Sequence, residues 1–473
     1  MLSLIGLAVI VVMTTLLILG RIAPVVGLTA IPLAGALVAG FSLADISEFF
    51  ETGIGDVTNV AVMLVFAILF FGIMNDVGLF NPLIRLTVRL TRGNVIAVCV
   101  GTVLLATICH LDGAGASTYL IVLPALLPLY KHLGMSPYLL LLLSGTSMGI
   151  LNMLPWGGPV GRSGAALGMD PVAIWQSLIP VQVLSLVLLV VMAVLLGHRE
   201  KRRIAARHEA ELERVEESEL VTAGAGSSTT TGRGASAGDT GQGPREFSAA
   251  PADDIFGGRM PAESNEGPLW RLWANAALVF ATLGVLVADI VPPGLAFMLA
   301  LAAALLLNYP KVSDQMARIR AHGGAAVGTG AIILAAGCFL GIMSESGMLD
   351  ALASDAVGLL PENSLPFVHI IVGVLGMPLE LLLSTDAHYF ALLPVVDGIA
   401  AQAGVGSEAV ANSVIVGNVI GTYISPFNAS LWLGLGLAGA DMGRHIRYSF
   451  FPMWAFSVVV LGLSLVLGLI PLR

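Results

Sequence analysis

"HLDGAGAST" (His110–Thr118) interrupts an apolar run from Val95 to Leu129 with a histidine, a carboxylate and two glycines. A helix crossing a bilayer would carry leucine there. A charged side chain at the bilayer centre costs at least ~2.5 kcal/mol. Irregular backbone at that depth survives only inside protein or beside a wet cavity. The fold therefore turns on whether this chain is a membrane protein, and composition answers that. Its 473 residues are 56% hydrophobic and only 11% charged, against about 25% charged in soluble domains. Apolar stretches near the ~20 residues that span a bilayer recur at 2–20, 23–40, 56–75, 136–155, 173–196, 270–291, 293–309, 325–343, 408–437 and 448–470. This predicts an all-α polytopic membrane protein with about ten transmembrane helices. The first span is expected to be retained, because no Lys or Arg precedes Arg21 and its apolar run is long. A net charge of −9 with few basic clusters argues against nucleic acid. Cys99, Cys109 and Cys338 lie in apolar segments, are odd in number and read as packing residues.

Threading these spans places every Lys and Arg except Arg162 and Arg473 on one side. The opposite loops read as acidic: "LADISEFFETGIGD", "GMDP" and "SESGMLDALASDAVGLLPEN". The positive-inside rule makes the basic side cytoplasmic in the cell membrane. The count works only if 94–132 and 364–403 each enter and leave on one face, as re-entrant hairpins. The opening motif then falls at the first hairpin's turn.

Residues 198–267 break the composition. A charged stretch, "HREKRRIAARHEAELERVEESE", is followed by Gly/Ser/Thr-rich low complexity, read as a disordered cytoplasmic linker. It separates a membrane repeat over 1–197 from one over 268–473. "FGIMNDVGLFNPLIRLTVRL" (71–90) aligns with "LGIMSESGMLDALASDAVGL" (340–359). "YLIVLPALLPLYKHLGM" (119–135) aligns with "YFALLPVVDGIAAQAGV" (389–405), and "GILNMLPWGG" with "GTYISPFNAS". The charge count puts Asn75 inside and its mate Ser344 outside, the signature of inverted-repeat secondary transporters.

Four breaks occupy matching places: 109–118, 152–161, 382–390 and 422–430. Helix starts freed there favour anions and freed carbonyls favour cations, which suits an anion accompanied by a cation. Asp112 reads as a ligand or proton carrier, with a turn-shaping carboxylate as the rival. Asp386 and His388 suit metal contact or proton relay, against a buried structural histidine. His110 is undecided. Ser117, Thr118, Ser384 and Thr385 offer neutral oxygens, or cap the hairpins. Asn152, Asn418, Ser425, Asn428 and Ser430 interrupt apolar spans, and amides bind either charge. Arg162 fits a carboxylate bidentately, with interfacial snorkelling as the alternative. Glu380 and Asp397 lie in the second hairpin, and spacing does not place Glu380 relative to the site.

"LDGAGASTYLIVLPALLPLYKHLGM", "LNMLPWGGPVGR" and "LSTDAHYFALLP" together resemble the CitMHS citrate–divalent metal:proton symporters of the ion transporter superfamily. The likeness covers nearly all of the chain outside the linker. It implies inverted repeats with two re-entrant hairpins, and proton-driven uptake of citrate complexed with magnesium, calcium or a related ion by alternating access. No cofactor is implied; the cation is cargo and the partners are the complex, protons and lipid. Carried over by motif, Asp112, Gly113, Gly115, Ser117, Asn152, Gly157, Gly158, Arg162, Ser384, Thr385, Asp386 and His388 would surround the substrate. Asp112, Asp386 and His388 would handle metal or protons. Hairpins and broken spans would move against a scaffold, through which a homodimer is expected by analogy. The rivals are a proton- or sodium-coupled carrier of another organic acid, such as a dicarboxylate or gluconate, and, from another class, an intramembrane hydrolase pairing Asp112 with Asp386. The reading is a transporter, not an enzyme.

Overall fold

The computed structural model describes residues 1–19, 21–79, 82, 94–224, 268–288 and 290–471. The low-complexity part of the linker and Arg85, Arg89 and Arg92 lie outside the described residues. Among the described residues every regular element is helical. The first half runs α1 (Leu2–Ile18), α2 (Pro24–Ala39), α3 (Leu43–Asp76), α4 (Val95–Cys109), a 3-10 turn (His110–Asp112), α5 (Gly115–His132), α6 (Pro137–Leu151), α7 (Gly158–Leu167) and α8 (Pro171–Gly224). The second half runs α9 (Leu269–Val287), α10 (Pro293–Asn308), α11 (Val312–Glu345), α12 (Met348–Leu359) and α13 (Val368–Glu380). A short turn (Thr385–Ala387) and a π-helical stretch (His388–Leu392) lead into α14 (Leu393–Gln402), then α15 (Ser407–Asn418), α16 (Ala429–Ala438) and α17 (Met442–Val466). From α3 and α11 onward the two orders correspond: helical hairpin, span broken by a turn, closing helix.

Local chemistry sets the boundaries. Proline opens α2, α6 and α10, where its missing N–H is not needed. Ser42 and Asp45 form a reciprocal capping box that starts α3 at Leu43. The stretch 43–56, read from sequence as an acidic loop, is therefore helix. Its Gly53 is the closest approach to α11: a Cβ there would strike the Gly337 carbonyl and the Gly341 backbone. α3 and α11 have 34 residues each, or ~51 Å at 1.5 Å per residue, longer than the ~30 Å hydrocarbon core.

Packing runs along similar lines in the two halves. α4 lies against α5, α6 and α8, and α13 against α14, α15 and α17. Across the halves α3 pairs with α11, α10 with α3 and α2 with α11; α5 meets α16, and α7 meets α14. The broken spans sit innermost, since α6 is buried from Leu139 to Leu151 and α15 from Ala409 to Asn418. Large apolar side chains such as Leu4, Val11, Trp273, Phe280 and Leu299 face outward from α1, α9 and α10. Seven described helices are long and apolar enough to cross a membrane, and they include the first hairpin arms Val95–Asp112 and Asn363–Glu380. Five further apolar helices are shorter. The ten apolar spans of the sequence reading thus divide unevenly, because the turns after Leu151 and Asn418 cut two of them.

Candidate functional site

The first hairpin tip is built by α4 ending at Cys109. His110–Asp112 make one 3-10 turn, and Gly113 takes φ 69°, ψ 5°, a left-handed conformation that glycine adopts without penalty. The reversal folds Asp112 over the start of α5. Its Oδ1 accepts from the Ala114 N–H at 2.8 Å and its Oδ2 from the Ser117 hydroxyl. Asp112 is buried and stays within its own hairpin. His110 ties three breaks together: Nδ1 lies 2.9 Å from the Thr118 hydroxyl, and Nε2 lies 3.0 Å from Asn152 Oδ1 and 3.1 Å from the Tyr423 hydroxyl. Trp156 donates to the Leu111 carbonyl at 2.8 Å. Gly115 lies against Ser430 and Tyr423, with no room for a Cβ.

The second tip is wired differently. Ser384 caps the turn by accepting from the Ala387 N–H at 3.2 Å. Asp386 Oδ1 accepts from Arg162 Nε at 2.7 Å, across 224 residues of sequence. Both side chains are largely buried, 16% and 12% exposed, so the pair is shielded from water. Gly157 and Gly158 permit this: a Cβ on Gly157 would meet the Asn152 backbone, and one on Gly158 the Arg162 guanidinium. Behind the turn Glu380 is wholly buried. Its Oε1 accepts from the Thr385 hydroxyl at 2.5 Å and its Oε2 from Asn418 Nδ2 at 2.7 Å. Asn418 Oδ1 accepts from the Tyr389 hydroxyl at 2.9 Å, and Ser425 donates to the Glu380 carbonyl at 2.8 Å.

The candidates therefore fall into two clusters. Asp112, Ser117, Thr118, Asn152 and His110 gather at the first tip. Arg162, Thr385, Asp386, Asn418 and Ser425 gather at the second. The turn 152–157 with α7 joins them through Asn152 and Arg162, and the segment 421–425 joins them through Tyr423 and Ser425. Asn428 caps α16, accepting from the Ser430 N–H at 2.9 Å and donating to the Thr422 carbonyl at 2.8 Å. His388 is wholly buried, and neither ring nitrogen has a hydrogen-bond partner. Its ring meets that of Tyr389 edge-on. Sequence reasoning did not single out Tyr389, Tyr423 or Trp156, and left Glu380 unplaced. Only the register at which Glu380 ends α13, matching His110 at the end of α4, could have flagged it.

The helix starts also differ. α5 and α7 begin after Ala114 and Gly157, neither of which caps with a side chain, so their first amides remain open to an anion. The helical turn at Thr385 and α16 are capped by Ser384 and Asn428. Among the described residues no three His, Cys, Asp or Glu side chains converge on a metal position. A separate cavity of about 290 Å³ lies between α3, the end of α7, α11, α12 and α14, lined in part by Asp56, Glu345, Asp350 and Asp397. Its lining is acidic, and it touches neither tip.

Comparison with known proteins gives a consistent result. Residues 2–417 match the family described as CitMHS, citrate transporter. The chain is 31% identical to a protein of Bacillus subtilis (strain 168) named "Citrate transporter", covering 99% of this chain and 100% of that one. It is also 31% identical to that organism's "Mg(2+)/citrate complex secondary transporter", over 99% of both chains. Among solved structures, the YdaH transporter of Alcanivorax borkumensis, described as having an unusual topology, superimposes with a TM-score of 0.55 at 15% identity over 91% of both chains. At that identity the likeness concerns the fold alone.

Proposed function

The chain belongs to the CitMHS family of citrate transporters, and from that premise we propose that it is a multi-pass secondary transporter importing citrate as a complex with a divalent cation, magnesium first, driven by protons. The observation that carries the reading is the clamp between Arg162 and Asp386, which joins the two halves at the second tip. Nε of Arg162 serves Asp386, so the terminal nitrogens remain for a substrate carboxylate, the geometry for which guanidinium is suited. The open amides of α5 and α7 add positive potential for the remaining carboxylates.

The cation is cargo and brings most of its own ligands. Citrate oxygens fill much of a hard cation's coordination shell, and such a cation keeps water readily. It then needs few protein oxygens, which Asp112 and Ser117 supply at the first tip. The first tip thus offers oxygens to the cation beside open amides for the anion, and the second offers the Arg162 guanidinium to a further carboxylate. The hairpins with α6–α7 and α15–α16 form the moving unit; α1–α3 and α9–α11 form the scaffold and the homodimer face. Rocking between them exposes the site alternately to each side. The basic loops and linker face the cytoplasm across the cell membrane.

The test is labelled citrate uptake into proteoliposomes under an inward proton gradient, without divalent metal and then with magnesium or calcium. The expected result is uptake that requires a metal and collapses with a protonophore. Absence of citrate uptake with every metal would overturn the substrate assignment.

A further inference from the structure

We propose that Glu380 is the carboxylate that carries the coupling proton, and that Thr385 transmits its state to the substrate site. The inference deepens the proton-coupled reading above and rests on it. Glu380 is 0% exposed, and among the described residues it makes no ion pair. Its two oxygens differ in kind. Oε2 faces an amide nitrogen of Asn418, and that amide is held because its own oxygen accepts from Tyr389. An amide nitrogen can only donate, so Oε2 is an acceptor in either state. Oε1 faces the Thr385 hydroxyl at 2.5 Å, and a hydroxyl can donate or accept.

That difference makes a switch. When Glu380 is ionised, the Thr385 hydrogen points back to Oε1. When Glu380 takes a proton on Oε1, that hydrogen bond reverses: the acid donates to Thr385 Oγ1, and the Thr385 hydrogen is released to another acceptor. Thr385 is partly exposed and adjoins Asp386, which holds Arg162. The acceptor offered there is a substrate carboxylate. Substrate binding and protonation of Glu380 therefore favour each other, and linkage makes that preference reciprocal. Proton and anion travel together, with the proton count balanced at one per cycle for this group.

The ionisable surroundings leave Glu380 as the group so placed. Arg162 of α7 is engaged by Asp386. His388 has neither nitrogen bonded, and Tyr389 donates to Asn418. His445 of α17 lies against the Tyr423 carbonyl and Ser449. Asp397 of α14 accepts from Ser407, away from the tip. At the equivalent end of α4 stands His110, hydrogen-bonded on both nitrogens.

The experiment compares two modes in the same proteoliposomes loaded with magnesium: accumulation of labelled citrate under a proton gradient, and citrate–citrate exchange at equal pH. Glu380→Gln reproduces the protonated geometry, with the amide donating to Thr385. It is expected to exchange citrate at near wild-type rate without dependence on pH, while gradient-driven accumulation falls by roughly tenfold or more. Thr385→Val is expected to lose the pH dependence of exchange and Thr385→Ser to keep it, which decides the matter if Glu380→Gln does not fold. A folded Glu380→Gln protein that accumulates citrate like wild type overturns the proposal, as does one that loses exchange and accumulation together. Wild-type protein that exchanges citrate but never responds to a proton gradient overturns the coupling reading itself.

Discussion

The two hairpin tips share a backbone plan and differ in chemistry. At the first, Asp112 is satisfied by Ala114 and Ser117 of its own hairpin, and α5 after the turn starts uncapped. At the second, Asp386 reaches Arg162 of the opposite half, Ser384 caps the turn, and a buried carboxylate lies behind it. Helices break at corresponding places in the two halves. The side chains at those places differ, and a cation-laden anion, as proposed above, presents two faces that a pair of identical tips would not match. One tip keeps open amides and a locally held carboxylate. The other is joined across the molecule by the Arg162–Asp386 pair.

The largest effect is expected from breaking the cross-molecule clamp. Arg162→Ala should abolish citrate uptake and destabilise the purified protein by about 3 kcal/mol, since a shielded carboxylate loses its partner. Thermal melts and uptake measured together check this; wild-type uptake in the variant would remove the clamp from the site. Next comes the first tip. Asp112→Asn should raise the metal concentration needed for half-maximal uptake by roughly tenfold or more, and an unchanged metal requirement would place the cation elsewhere. Gly113→Ala forces a side chain into a φ of 69°, at about 1–2 kcal/mol. It should lower uptake at the first tip with little change in the Arg162–Asp386 pair, as read by the melting temperature of the variant beside Gly113→Ala/Arg162→Ala. The smallest effect belongs to a cap: Asn428→Ala should cost about 1 kcal/mol and leave metal dependence unaltered, measured by melting and uptake.

Much of this molecule was legible in one dimension. The charge deficit and recurring apolar runs required membrane helices, and glycine and proline at 113–115 and 155–159 marked where those helices break. Polar side chains at the breaks pointed to a site, because hydrocarbon tolerates them only in protein surroundings. Elsewhere local signals competed. The Gly-rich acidic stretch 43–56 read as loop, yet the Ser42 cap and the Gly53–Gly341 contact hold it helical. Loop residues and helix-crossing residues have the same composition, so a partner helix far along the chain, at Gly337 and Gly341, had to decide.

Sequence alone determined the class of protein, the places of the four breaks and the types of side chain at them. These follow from hydrophobicity and backbone hydrogen bonding, which act residue by residue. Only the tertiary structure decided who faces whom: that Arg162 meets Asp386 rather than the interface, that His110 joins three breaks, and that Glu380 meets Thr385 and Asn418. Those pairings lie 5 to 313 residues apart. They depend on the register with which hairpins and broken spans pack, a property of helix surfaces in contact and not of any segment by itself.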